Sequence, residues 1–223
     1  MAGAAQSLLM RNGIIPALSL SFLFSTGSVT TSHTVSASAQ AGDLAILHCG
    51  ANGSGSYAGA TPAGWTQVCY SRTTSGTGAV WGVFAYKVLT GGDIGATLTG
   101  LPTGGGGASS TITYYRPSKA ITTVSLVGTA GDEATTAAPT NQSMNIALAN
   151  DPAYVALIGY VANNSITTRG STVSMTEITE RASGFWSYVK YKIYNIGDTL
   201  EFITASMADY GNNCLQSFFL SVK

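Results

Sequence analysis

Along most of the chain, short runs rich in Val, Ile, Thr, Tyr and Phe are set between Gly, Pro and Asn. Near the N-terminus Leu18, Leu20 and Phe22 alternate with Ser19 and Ser21. Further runs follow at 41–50, 66–72, 80–89, 96–101, 110–115, 122–128, 143–148, 153–162, 173–179, 185–194, 200–206 and 214–222. Successive side chains of a strand point to opposite faces, and β-branched and aromatic residues fit the pleated surface, so these runs predict β-strands. No stretch combines helical periodicity with caps at both ends. Many short strands separated by turn residues predict an all-β fold, a β-sandwich or jelly-roll-like body. The chain divides into an N-terminal arm with a first strand, residues 1–28, and a β-sandwich domain, residues 29–223.

One phrase is written twice. "YKVLTGGD" at Tyr86–Asp93 returns as "YKIYNIGD" at Tyr191–Asp198, and the alignment pairs Lys87 with Lys192, Gly92 with Gly197, Leu98 with Ile203 and Thr99 with Thr204. Upstream, "GWTQV" at Gly64–Val68 stands beside "SMTEI" at Ser174–Ile178, and "GDLAILHCGA" beside "DPAYVALIGYVA". Segments 41–105 and 150–206 therefore read as two related β-units whose sheets close on each other. Convergence is the competing explanation, since Gly-Asp is common turn chemistry.

Strand period assigns faces within "FWSYVKYKIYN". Phe185, Val189, Tyr191 and Ile193 share one face and form the expected core side. Trp186, Tyr188, Lys190, Lys192 and Tyr194 share the other. Aromatic rings mixed with ammonium groups are typical of interfaces and sugar-binding platforms, so this is the candidate interface or glycan face. In the first copy the matching positions are Trp81, Val83, Ala85 and Lys87, which lack the tyrosines. The competing expectation is that the face packs beneath a neighbouring loop.

Residues 1–28 have the outline of a secretory signal peptide, with one Arg, an apolar run from Ile14 to Phe24 and small residues after it. Pro16 and two serines interrupt that run, and its alternation is that of a strand. The segment is read instead as an anchoring arm that docks Leu8, Leu9, Met10, Ile14 and Ile15 on a partner or on its own domain, the competing reading being a short N-terminal strand pair with no partner. No other run reaches the ~18 apolar residues of a membrane-spanning helix.

Charge changes the picture by its scarcity. Only 9% of the 223 residues are charged and the formal net charge is zero, against a usual charged share of about 25%. The ten basic residues are scattered, so no stripe tracks a phosphate backbone and nucleic acid is not an expected partner. Gly104–Gly107 reads as a surface loop, because no helix bearing Lys and Ser or Thr follows it to cradle a phosphate. Cys49, Cys69 and Cys214 lack metal-knuckle or redox-pair spacing and are read as core packing, with a Cys49–Cys69 bridge left open.

Catalytic chemistry finds little support. Asp43, Asp93, Asp151 and Asp198 stand beside Gly or Pro, where Asp commonly stabilises turns. Asp132 and Glu133 read as a solvated loop. Glu177 and Glu180, three apart in a strand, face opposite sides and do not flank one glycosidic bond. His33 and His48 lack ligand or triad spacing, and His48 is expected to be a hydrogen-bonded core residue. No enzyme activity, cofactor or metal is therefore expected. A hydrolase with carboxylates brought together across strands remains the rival from another class.

The order "AGDLAIL…PAGWTQV…YKVLTGGDIGATLTG", at Ala41–Leu47, Pro62–Val68 and Tyr86–Gly100, resembles a pattern in peripheral virion proteins of tailed bacteriophages. The resemblance covers about a quarter of the chain directly. It implies a β-sandwich behind a short attachment arm, serving as a head decoration (cement) protein or as a tail-associated component. It further implies a homo-oligomer, a trimer first, exposed on the virion surface after assembly in the host cytoplasm and bound to a major capsid or tail protein. The alternative is a carbohydrate-binding receptor-recognition module of a tail fibre, using Trp186, Tyr188 and Tyr194 with loop aromatics such as Tyr57 or Trp65 on a host surface glycan.

Overall fold

Two strands are apolar on nearly every residue rather than on alternate ones. They are "LAILHCGAN", which forms β3 (Leu44–Asn52), and "AYVALIGYVA", which forms β10 (Ala153–Ala162), and every residue of both is buried. A strand with one wet face alternates, so a continuous apolar run signals a strand covered on both sides. These two strands are the centres of two five-stranded antiparallel sheets. The computed structural model describes residues 17–30, 32–53, 61–72, 79–101, 107–134, 140–144, 153–162, 166–182, 185–199, 203–209 and 213–223.

The first sheet joins β3 to β1 (Leu20–Ser28), β4 (Thr66–Arg72), β5 (Val80–Val88) and β7 (Gly107–Pro117), in the order β1-β7-β3-β5-β4. The second joins β10 to β8 (Val124–Ala134), β12 (Thr176–Ala182), β13 (Phe185–Asn195) and β15 (Asn213–Val222), in the order β12-β13-β10-β15-β8. A third sheet, β11-β14-β9, consists of β11 (Ile166–Ser171), β14 (Ile203–Asp209) and β9 (Thr140–Met144). A short pair is made by β2 (His33–Thr34) and β6 (Thr97–Leu98). The described residues form an all-β sandwich with no α-helix; a single turn of 3-10 helix occupies Gly91–Asp93.

Burial follows this layering. Leu44, Ile46, Phe84, Tyr115, Val155, Leu157, Tyr191, Phe218 and Leu220 fill the space between the two large sheets. On the far side of the second sheet, Tyr154, Ile158, Tyr160, Tyr188, Tyr194 and Phe219 pack with Ile203 and Ala205 of β14. On the far side of the first, Leu47, Cys49, Val83, Ile112 and Tyr114 are covered by Val35, Ala39, Leu89 and Leu101 around the β2-β6 pair. The central strands of each large sheet are thus dry on both faces, and the hydrophobic driving force comes from three stacked cores rather than one.

Strand order repeats between the halves. Read from the opposite edge, the first sheet is β4-β5-β3-β7-β1, which matches β12-β13-β10-β15-β8 strand for strand in chain order; β2-β6 likewise matches β9-β14, and β11 is the addition. Register repeats as well. Tyr86 lies between Ile46 and Thr66, and Tyr191 between Leu157 and Thr176. Both outer pairings slip at the same place: Leu23 is extra opposite Tyr115 and Tyr114, and Val127 is extra opposite Leu220 and Phe219. A β-bulge bends its strand and raises the local twist, so two bulges at matching positions curl both sheet edges alike. The correspondence spans 20–117 and 124–222, wider than the segments alike in sequence.

The sheets face each other about an approximate two-fold axis, since β4 lies over β8 and β15 while β12 lies over β1 and β7. His48 and Gly159 hold matching positions, opposite Phe84 and Val189 respectively, and they touch across that axis. A Cβ on Gly159 would stand 2.8 Å from His48 Nε2 and would overlap the Phe84 ring. Glycine is there for close approach.

Candidate functional site

The candidate face on β13 is an internal contact. Tyr188 is 4% exposed and Tyr194 2%, because the β11-β14-β9 sheet lies over them. Arg169 of β11 sets its guanidinium 3.9 Å over the Tyr188 ring, and Lys192 Nζ lies 5.0 Å over Tyr194. Lys190 Nζ donates to the Arg169 carbonyl at 2.7 Å and stands 3.6 Å from Glu177. Arg169 also grips Glu177 through two hydrogen bonds of 3.0 and 3.1 Å, and this keeps its pKa above the usual value. The mixture of rings and cations therefore fastens one sheet to another and forms no open platform. The matching positions Trp81, Val83 and Ala85 of β5 are buried too. The side chain of Trp186, the arm residues Leu8, Leu9, Met10, Ile14 and Ile15, and Tyr57 lie outside the described residues. Trp65 is 8% exposed and belongs to the first sheet's outer core.

Three of the turn aspartates do what their neighbours suggest. Asp43 accepts the Gln40 N–H at 2.8 Å, Asp93 that of Thr90 at 2.8 Å and Asp198 that of Asn195 at 2.7 Å. Asp93 and Asp198 are the repeated residues, and their backbone bonds repeat with them. Burial works against the Asp93 carboxylate, but hydrogen bonds from Lys87, at 2.5 Å, and Thr90 outweigh it and lower its pKa. Asp151 lies outside the described residues. Asp132 and Glu133 are not in a loop: they continue β8 opposite Leu215 and Cys214, since ten ladder partners on β15 extend the strand past the polar residues.

Between the large sheets the core changes character along its length. One end holds Leu44, Ile46, Leu157 and Phe218; the other carries His48, Thr111, Ser187, Cys214 and Gln216. Gln216 Nε2 donates to the Gly82 carbonyl at 2.8 Å, and Cys214 Sγ contacts the Val80 carbonyl at 3.2 Å. Ser187 Oγ meets His48 Nδ1 at 3.3 Å. His48 is a core residue as expected, but only one of its ring nitrogens is hydrogen-bonded. Burial lowers its pKa to about 3, so the imidazole is neutral. His33 is buried between Thr26 Oγ1, at 2.9 Å, and Ser110 Oγ, at 2.8 Å, and burial lowers its pKa to about 4.

The Cys49–Cys69 bridge does not form, and all three cysteines are free thiols. Cys49 belongs to the outer core of the first sheet, whereas Cys69 packs toward the space between the sheets. Burial pushes the Cys69 thiol up to about 12 and raises that of Cys49 as well, which suppresses the nucleophilic thiolate. Among the described residues no three His, Cys, Asp or Glu side chains gather where they could hold a metal ion, and no helix is long and apolar enough to cross a membrane.

These features define the class of the molecule as an all-β sandwich of paired, similarly ordered antiparallel sheets. In comparisons with known proteins, no family model, no curated protein and no solved structure matches the chain.

Proposed function

We propose that the protein is a non-catalytic structural component of a bacteriophage virion, a head decoration or tail-associated protein that works as a homo-oligomer on the particle surface. The observation that carries this is the chemistry of the first sheet's edges, β1 and β4. An exposed edge strand offers unpaired backbone groups and is usually guarded by Lys or Pro. Here β1 has no charged residue, and β4 has only its terminal Arg72. On one side of the sandwich β4 lies over β8, and there Tyr70 is 38% and Leu126 42% exposed. Edges of this kind suit burial against neighbouring subunits.

The resemblance of Ala41–Leu47, Pro62–Val68 and Tyr86–Gly100 to peripheral virion proteins supplies the setting. Receptor recognition through β13 is not carried forward, because Tyr188 and Tyr194 are covered. The test is the copy number of the chain in purified particles, by quantitative mass spectrometry against the major shell protein. A count comparable with the shell protein supports head decoration, and a far lower one supports the tail. Absence from the particle, or a monomer by light scattering at micromolar concentration, counts against the proposal.

A further inference from the structure

The repeated architecture provides a control, because what one half has and the other lacks is not required by the fold. The ion pair of Asp43 and Arg116 is such a feature. Asp43 precedes Leu44 and Arg116 follows Tyr115, and Leu44 and Tyr115 are partners; their counterparts Val155 and Leu220 are flanked by Tyr154 and Ser221, which pair with each other and carry no charge. Arg116 Nε and one terminal nitrogen donate to the two Asp43 oxygens, both at 2.9 Å. The Asp43 side chain is 2% exposed, while that of Arg116 is 37% exposed.

The fork has a directional consequence. A guanidinium carries five N–H donors in one plane, and two of them are spent on Asp43. The buried carboxylate fixes that plane, and the rest of the group stays partly in solvent. It borders a cavity of about 350 Å³ lined by Gln40, Asp43, Arg116, Pro117, Lys119 and Ala120, together with Ala41 and Gly42. The cavity is open to solvent on one side, and its volume is at the low end of small-molecule sites. With Asp43 cancelling one cation, Arg116 and Lys119 leave the cavity one positive charge. Pro117 and Ala120 add apolar surface, and Gln40 an amide.

We propose that this cavity binds a small ligand with a single carboxylate and a hydroxylated ring, the chemistry of an acidic sugar. Its carboxylate meets the free edge of the Arg116 guanidinium and the Lys119 ammonium, its ring lies on Pro117 and Ala120, and a hydroxyl reaches Gln40. Planar two-point recognition of a carboxylate is what an oriented guanidinium does best. The site is independent of the β13 face and does not rest on the virion reading.

The full chain is titrated with glucuronate and with N-acetylneuraminate, followed by amide chemical shifts, with glucose and inorganic phosphate as controls. The expected result is saturable shifts from one of the two acids, confined to 40–43 and 116–120. Lys119→Glu is expected to weaken that binding at least tenfold while leaving the melting temperature unchanged. Arg116→Lys, which keeps the charge and loses the fork, should weaken it too. The proposal is overturned by no saturable shifts with either acid, by equal response to glucose or phosphate, or by wild-type affinity in Lys119→Glu.

Discussion

His48 shows how a single residue couples the two sheets to solution conditions. Its pKa is about 3 in the fold, against roughly 6.5 in an unfolded chain. The unfolded chain therefore binds more protons between these values, so the contribution to stability is full above about pH 6.5 and is lost as pH falls toward 3. From pH 6.5 to 5 the loss from His48 is roughly 1.5 kcal/mol, and His33 adds to it in the same direction. Denaturant unfolding across this interval should show that decline, and His48→Gln should reduce it to the part that His33 contributes. A pH-independent wild type would mean that His48 is not buried neutral. Sequence placed this residue in an apolar strand; it could not show that the strand's partner across the core is a glycine.

At the scale of elements, β13 separates what a strand pattern reveals from what it leaves open. The two faces were assigned correctly by period, since Val189 and Tyr191 face the inter-sheet core and Tyr188 and Tyr194 share the opposite side. Period says which side chains travel together, not whether that side meets water. Here β14 covers it, and β11 adds the Arg169 cap, a strand that the apolar runs did not announce because "ITTRGS" is mostly polar. Tyr188→Ala should therefore cost about 3–5 kcal/mol, the range for emptying a large buried aromatic site, measured as a shift of the denaturation midpoint. A change within about 0.5 kcal/mol, as for an ordinary surface position, would return the face to the candidate interfaces.

At the scale of the whole molecule, the shared core ties the halves into one folding unit. Leu44, Ile46 and Phe84 from the first half interleave with Val155, Leu157 and Phe218 from the second, so neither sheet can leave without exposing the other. Hydrogen bonds reinforce the join: Leu20 N–H donates to Asn195 Oδ1 at 2.8 Å and the Tyr86 hydroxyl to the Val124 carbonyl at 3.0 Å. Unfolding by denaturant is expected to be a single transition, with tryptophan fluorescence and far-ultraviolet circular dichroism superimposing. Two resolved transitions would show that each half holds itself together.

The sequence by itself determined most of the strands, the turns at Asp93 and Asp198, and the repeated phrase that the two halves share. These depend on side-chain period, turn chemistry and spacing, all of which are local. It reached the identity of strand faces but not their surroundings, so the tyrosines of β13 read as a platform. Only the tertiary structure decided that the central strands of both large sheets are dry on both sides, that Cys49 and Cys69 point into different cores, and that Asp43 fixes Arg116 at the rim of a cavity. Each of these depends on which strand lies beside or over which, and that comes from contacts such as those between residues 73, 134 and 139 positions apart, which no local pattern encodes.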